Sequence, residues 1–120
     1  MPYLLLIVEP RGQRASRQSS EAQGLYDEMM AFSAALQERG VLLRAESLRS
    51  DEHAVRISAR APGGTPQMLD GPFAESKEMV GGFFLIDVAT RDEALAIAGR
   101  CPAVNWAAVE VRECAPCHLP

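Results

Sequence analysis

The sequence predicts an α+β fold: a sheet of βαββαβ order, interrupted by an inserted hairpin. Three observations lead there. The apolar runs Tyr3 to Val8 and Gly82 to Val88 have the length and β-branched content of strands buried on both faces. Two segments, opened by Ser20 and Thr90, repeat apolar residues at helical spacing. The 120 residues suit one domain, which at this size can bury a core without disulfides or metals.

The elements follow in order. After the first strand, "EPRGQRASRQ" reads as a polar loop with two breakers. Ser20 and Gln23 have capping-box spacing at the start of a helix. Leu25, Met29, Phe32 and Leu36 give that helix one apolar stripe, and Gly40 after Arg39 ends it. Val41 to Leu48 is a second strand. Ala54 to Ala59 is a shorter, more polar third, and across the turn "APGGTP" residues 67–69 pair back as a hairpin. A charged stretch, "DGPFAESKE", then leads to the strand Gly82 to Val88. Thr90 and Glu93 form a second capping box, with Ala94, Leu95 and Ala98 facing inward and Pro102 preventing continuation. Ala107 to Val111 is the last strand. Without the hairpin this is the ferredoxin-like split βαβ arrangement, and right-handed crossovers put both helices on one face of the sheet. The doubly apolar strands leave the second face in need of a cover, and a second copy of the chain, packed sheet against sheet, is the simplest one.

Composition narrows the function. Sixteen acidic against twelve basic side chains give a net charge of −4, and no run of Lys and Arg tracks a groove, which argues against nucleic acid as a partner. The apolar run at the N-terminus is too short for a signal peptide or a membrane span, so a soluble, cytoplasmic protein is expected. Three cysteines do not suggest a disulfide framework. "CAPCH" at 114–118 has the spacing of c-type haem attachment, but two residues beyond it are too few to enclose a haem; zinc on Cys114, Cys117 and His118 would need a fourth ligand from Cys101 or a partner chain, and the paired motif of a strong zinc signal is missing. No cofactor motif is visible: Gly81-Gly82 lacks phosphate-cradle spacing and instead points to a bulge or a close backbone approach.

"DGPFAESKEMVGGFFLIDVATRDEALAIAGRCPA", together with "YLLLIV", "FSAALQERGVLLRAESL" and "AVEVRE", resembles the DGPF-type branch of the YciI-related family. The resemblance spans about residues 3–113 in family order, leaving 114–120 as a tail. It implies a dimeric α+β barrel of ferredoxin-like topology. It also implies a small-molecule enzyme or, since DGPF-type members are often encoded beside extracytoplasmic-function sigma factors, a regulatory module in a stress setting. A His–Asp pair proposed for YciI-type members does not carry over, because the first helix contains no histidine.

Asp70 is the candidate catalytic carboxylate: aimed into a cleft it would act as a general base, whereas at the start of a turn it would hold its own loop's amides. Phe73, Glu75 and Lys77 are candidate ligand contacts, with a loop plug and solvated charges as the alternatives. Arg44 and Glu46 share one face of the second strand; Arg44 holds a ligand's charge if that face is the barrel interior and does nothing if it meets solvent. Tyr26, with Met29 and Met30, lines either a ligand site or the core.

Overall fold

In the computed structural model, which describes residues 2–73 and 75–120, strand β1 runs Pro2–Pro10 and turns Tyr3, Leu5, Ile7 and Glu9 to one buried face. Leu4, Leu6 and Val8 point the other way and are half-buried. On one side β1 pairs antiparallel with β5 (Glu78–Asp87), which pairs in turn with β2 (Leu42–Ser47). On its other side β1 pairs antiparallel with β6 (Ala108–Glu113), giving the order β2-β5-β1-β6 expected of the ferredoxin-like arrangement.

Both helices cover the same sheet face. Leu36 of α2 (Ser19–Glu38) and Ala94, Ile97 and Ala98 of α3 (Arg91–Gly99) join Tyr3, Leu5, Ile7, Phe84 and Ile86 in one buried cluster. Phe32 meets Phe84 edge-on at 5.2 Å between ring centres. The Thr90 cap forms as the sequence predicts: its hydroxyl accepts the Glu93 N–H, and Glu93 Oε2 accepts the Ala89 N–H. Among the described residues no helix is long and apolar enough to cross a membrane.

Two segments differ from the sequence reading. Residues 9–18 read as loop, yet β1 continues to Pro10 and a single helical turn, α1 (Gln13–Ser16), follows. The reason is Glu9, whose carboxylate is paired with Arg14 and therefore stays buried at a strand position. The Ser20–Gln23 capping box is not formed: α2 begins at Ser19 after an extended Gln18, and Gln23 Nε2 donates to Asp27 Oδ1 one turn further on.

The inserted hairpin projects from this body. In it β3 (Val55–Ser58) pairs with β4 (Gln67–Asp70), and every residue of both strands is exposed. The register puts Val55, Ile57, Met68 and Asp70 on one face. The projection shows in the dimensions: a radius of gyration of 16.4 Å, against roughly 14 Å for a closely folded chain of this length.

Two glycines test this description. A Cβ on Gly71 would overlap the Asp51 carbonyl oxygen, so Gly71→Ala is expected to destabilise the fold by about 1–3 kcal/mol. A Cβ on Gly24, inside α2, meets nothing within 4 Å, so Gly24→Ala should stabilise by about 0.5–1 kcal/mol. Thermal unfolding followed by circular dichroism reads both.

Candidate functional site

The first half of α2 stands away from the sheet. Of its apolar residues only Leu36, near the C-terminal end, is fully buried, while Leu25 and Met29 are half-buried and Tyr26 and Met30 are each 50% exposed. Between that half-helix and the sheet lies a cavity of about 660 Å³, within the usual range for small-molecule sites. Ile7 and Phe84 contribute to its sheet side and Leu25, Tyr26 and Met29 to its helix side. These apolar walls meet a polar group in Glu9, which is 3% exposed and also lines the cavity.

Arg14 fixes that carboxylate. Its Nε donates to Glu9 Oε1 at 2.6 Å and its Nη2 approaches Oε2 at 3.4 Å. The same guanidinium donates to the carbonyls of Leu48 at 2.7 Å and Gly81 at 3.2 Å, so one side chain ties β1, the segment after β2 and β5 together. Gly81 makes room for the pair. Between Ile7↔Gly82 and Val8↔Val80 it is the extra residue of a β-bulge, and a Cβ there would overlap Glu9 Oε2 and lie 2.8 Å from Arg14 Nη2. The Gly81-Gly82 pair thus shows both the bulge and the close approach that the sequence indicates.

A second polar corner lies beside the first. Arg17 and Trp106 both line the cavity, and the Arg17 guanidinium carbon sits 4.8 Å from the centre of the indole ring. Gln13 Nε2 donates to the Trp106 carbonyl at 2.7 Å.

The DGPF segment has a different role in the geometry. Its anchor is Asp51, in the short 3₁₀ turn Asp51–His53. Asp51 forms a two-pronged pair with Arg11, both contacts at 2.6 Å, and accepts the Phe73 N–H. Arg11 in turn donates its Nε to the Ser76 carbonyl at 2.7 Å and its backbone N–H to the Lys77 carbonyl at 2.9 Å. The hydrogen-bonded Arg11 guanidinium holds the Asp51 carboxyl below the usual carboxylate range, against the opposing effect of desolvation. The carboxylate that the sequence reading places at Asp70 as a loop staple is thus supplied by Asp51.

Of the site candidates named from the sequence, Tyr26, Met29, Met30 and Glu46 line the cavity, whereas Arg44, Asp70, Phe73, Glu75 and Lys77 do not. Asp70 is exposed on β4, outside the cavity lining. Phe73 is buried beneath the Arg56 guanidinium, 3.9 Å from its ring centre, apart from the main core cluster. Glu75 pairs with Arg56 at 2.8 Å in an exposed bridge, and Lys77 is exposed. Arg44 and Glu46 are exposed and pair with each other; in register with Leu85 and Phe83 they stand on the face away from the helices. Glu9, Arg14, Arg17 and Trp106 were not singled out by the sequence reading. The signal that finds Glu9 is its phase: it continues the Tyr3, Leu5, Ile7 alternation, so an acid falls where the core face requires an apolar residue.

Comparison with known proteins places the fold. The family model for the YCII-related domain matches residues 1–117. This chain belongs to the YCII-related domain family. An uncharacterised curated relative, R00369 of Rhizobium meliloti (strain 1021), is 54% identical over 39 residues, which is 32% of each protein. The chain therefore spans about a third of the length of the curated relative it matches. Among solved structures it is similar to 5-chloro-2-hydroxyhydroquinone dehydrochlorinase (TftG) from Burkholderia phenoliruptrix AC1100, in complex with 2,5-dihydroxybenzoquinone. That likeness has a TM-score of 0.54 at 17% identity, covers 96% of this chain and 94% of that one, and shows the shared α+β fold.

The ion pair and the loop anchor each give a prediction. Glu9→Ala strands the Arg14 guanidinium and should cost about 3 kcal/mol, at the low end for a broken buried pair because Arg14 keeps 35% of its side chain exposed. Gly81→Ala should cost about 1–3 kcal/mol alone and much less in the Glu9→Ala background, since the overlap is with Glu9; urea unfolding of the four proteins measures the coupling. The Asp51 pKa is lower folded than unfolded, so its contribution is complete above the unfolded carboxylate range and is lost as pH falls below about 4. The protection factor of the Phe73 amide should fall over that range in the wild type, and should already be low at pH 7 in Asp51→Asn.

Proposed function

We propose that this protein binds a small hydroxylated-ring or carbonyl compound in the α2–sheet cavity and moves a proton on it, with Glu9 as the accepting carboxylate. The observation that carries this reading is a buried carboxylate in the wall of a cavity with both apolar and polar lining, held at a fixed angle by an arginine. Core carboxylates without a task are rare, and a general base needs this kind of restraint. Arg14 already donates to Glu9, Leu48 and Gly81, so its part is positioning. The acceptor sites of Glu9 exceed what Arg14 occupies, leaving room for a ligand O–H or an activated C–H to deliver its proton. The name of the similarly folded TftG, with the quinone it holds, motivates 2,5-dihydroxybenzoquinone as a first probe. Tyr26 is proposed to contact the ligand from α2. Asp70 enters this scheme only through a second chain, because its carboxylate lies outside the cavity of its own.

The protein is also proposed to act as a cytoplasmic homodimer. Leu4, Leu6, Val8, Phe83 and Leu85 form a half-buried apolar band on the sheet face without helices, and Val55, Ile57 and Met68 extend apolar surface along the hairpin, Met68 at 75% exposure. Three free thiols suit a reducing compartment. The hairpin surface also favours a second reading, a non-catalytic regulatory or assembly dimer, which needs no ligand in the cavity.

At 100 times its Kd, a ligand of the cavity adds about 2.7 kcal/mol of stability and raises Tm by several degrees. 2,5-Dihydroxybenzoquinone is expected to do so for the wild type and for Asp70→Asn, and to lose much of the effect with Tyr26→Ala and Glu9→Gln. Equal stabilisation of all four proteins places the ligand elsewhere; no stabilisation by this or related ring compounds favours the non-catalytic reading. Sedimentation at micromolar concentration should give twice the mass of one chain, and a monomer there removes the dimer.

A further inference from the structure

We propose that Arg17 and Trp106 form an anion subsite of the cavity, so that the ligand is a planar molecule carrying a carboxylate, phenolate or enolate oxygen. The inference rests on the cavity being the ligand site and adds the charge and orientation of what enters it. Three observations carry it. Arg17 Nη2 and Trp106 Nε1 are both buried, and neither has a hydrogen-bond partner among the described residues. Such groups are normally paired, because leaving a buried donor unmade costs its full desolvation. Both belong to cavity-lining residues, and the guanidinium lies 4.8 Å from the indole ring centre, so the unpaired donors occupy one corner.

Charge accounting points the same way. Glu9 is matched by Arg14. Arg11, Arg44 and Arg56 are matched by Asp51, Glu46 and Glu75. Among the described residues no carboxylate forms an ion pair with Arg17; of the two carboxylates in the lining, Glu9 is paired with Arg14 and Glu46 with Arg44, so Arg17 is the lining cation without an ion-pair partner. Of the three buried polar atoms without a partner among the described residues, the two on cavity-lining residues, Arg17 Nη2 and Trp106 Nε1, are donors, and what satisfies those two together is an acceptor; the third, Gln13 Oε1, belongs to a residue outside the cavity lining. Oxygens with negative charge do this best, since a charge-assisted bond is about twice as strong as a neutral one. The indole N–H requires a lone pair, and the planar guanidinium favours a planar oxyanion.

The subsite also completes the proton-transfer scheme. Loss of a ligand proton to Glu9 leaves a negative charge on the ligand oxygen, and donors set in advance at that oxygen lower the barrier. Arg17 and Trp106 would hold that oxygen while Glu9 takes the proton.

Salicylate and its neutral isostere salicylamide test the claim by calorimetric titration, with salicylamide displacement from Tyr26→Ala as the check on location. The wild type should bind salicylate about tenfold or more tightly than salicylamide, with the difference shrinking as salt rises. Arg17→Met should remove the preference, weakening salicylate far more than salicylamide. Arg17→Lys should restore part of the preference, and Trp106→Phe, which keeps the ring and removes the N–H, should weaken salicylate alone by severalfold. Unfolding curves of the free variants confirm that each is folded. Equal binding of the two probes, both sensitive to Tyr26→Ala, overturns the anion subsite and leaves the cavity reading standing. So does an anion preference that persists in Arg17→Met. Binding of neither probe overturns the subsite and the cavity reading together.

Discussion

A buried carboxylate sets the terms for this fold. Glu9 lies on the core face of β1 where the strand pattern would otherwise place another aliphatic side chain. Desolvating a lone carboxylate is prohibitive, so the chain must bring a cation to it and a backbone thin enough to admit both. Arg14 is the cation, delivered by the single turn of α1. Gly81 is the thin backbone, left unpaired in the ladder by the bulge opposite Ile7 and Val8. The remaining donors of Arg14 reach Leu48 and Gly81, so the pair also fixes the ends of three chain segments around the cavity mouth. Cavity shape and acid position are thereby one arrangement.

A division of labour follows. The signature loop at 70–78 holds the hairpin and the start of β5 in place through Arg11, Asp51 and the buried Phe73, and none of its described residues lines the cavity. The groups that line the cavity come from elsewhere, among them the end of β1, the α1–α2 junction, the exposed half of α2 and the turn before β6. A segment that defines a family in sequence can thus be an architectural part, with Glu75 engaged in an ion pair at the surface. The weak burial of the N-terminal half of α2 has its counterpart here, since a helix that packed along its whole length would fill the space a ligand needs.

The topology was legible because it depends on patterns that local sequence carries. Doubly apolar runs, the Thr90–Glu93 cap and the "PGG" turn are each set by nearby residues, and the sheet order follows from crossover handedness. The bulge at Gly81-Gly82 was legible for the same reason. The site was not, and the cause is physical. Glu9 and Arg14 are five residues apart in a stretch whose Pro, Gly and charges look like loop, and only the continuation of strand alternation reveals that the acid points inward. Trp106 meets Arg17 across 88 intervening positions, a proximity that no spacing in the chain encodes. Asp70 drew attention because an Asp-Gly-Pro turn advertises a fixed carboxylate, yet a fixed loop can be anchored by a different one, and Asp51 lay in an unremarked polar segment.

The most direct test of a ligand site framed by Glu9 and the Arg17–Trp106 corner uses the protein's single tryptophan. Its indole N–H gives one resolved signal in a ¹H–¹⁵N correlation spectrum. Titration with 2,5-dihydroxybenzoquinone should shift that signal together with the backbone amides of Gly81 and Gly82, saturating with a common dissociation constant, while the amides of the exposed hairpin stay in place. If the hairpin and the 70–78 loop shift and the indole and glycine signals do not, the ligand binds at the signature loop and the cavity account is wrong.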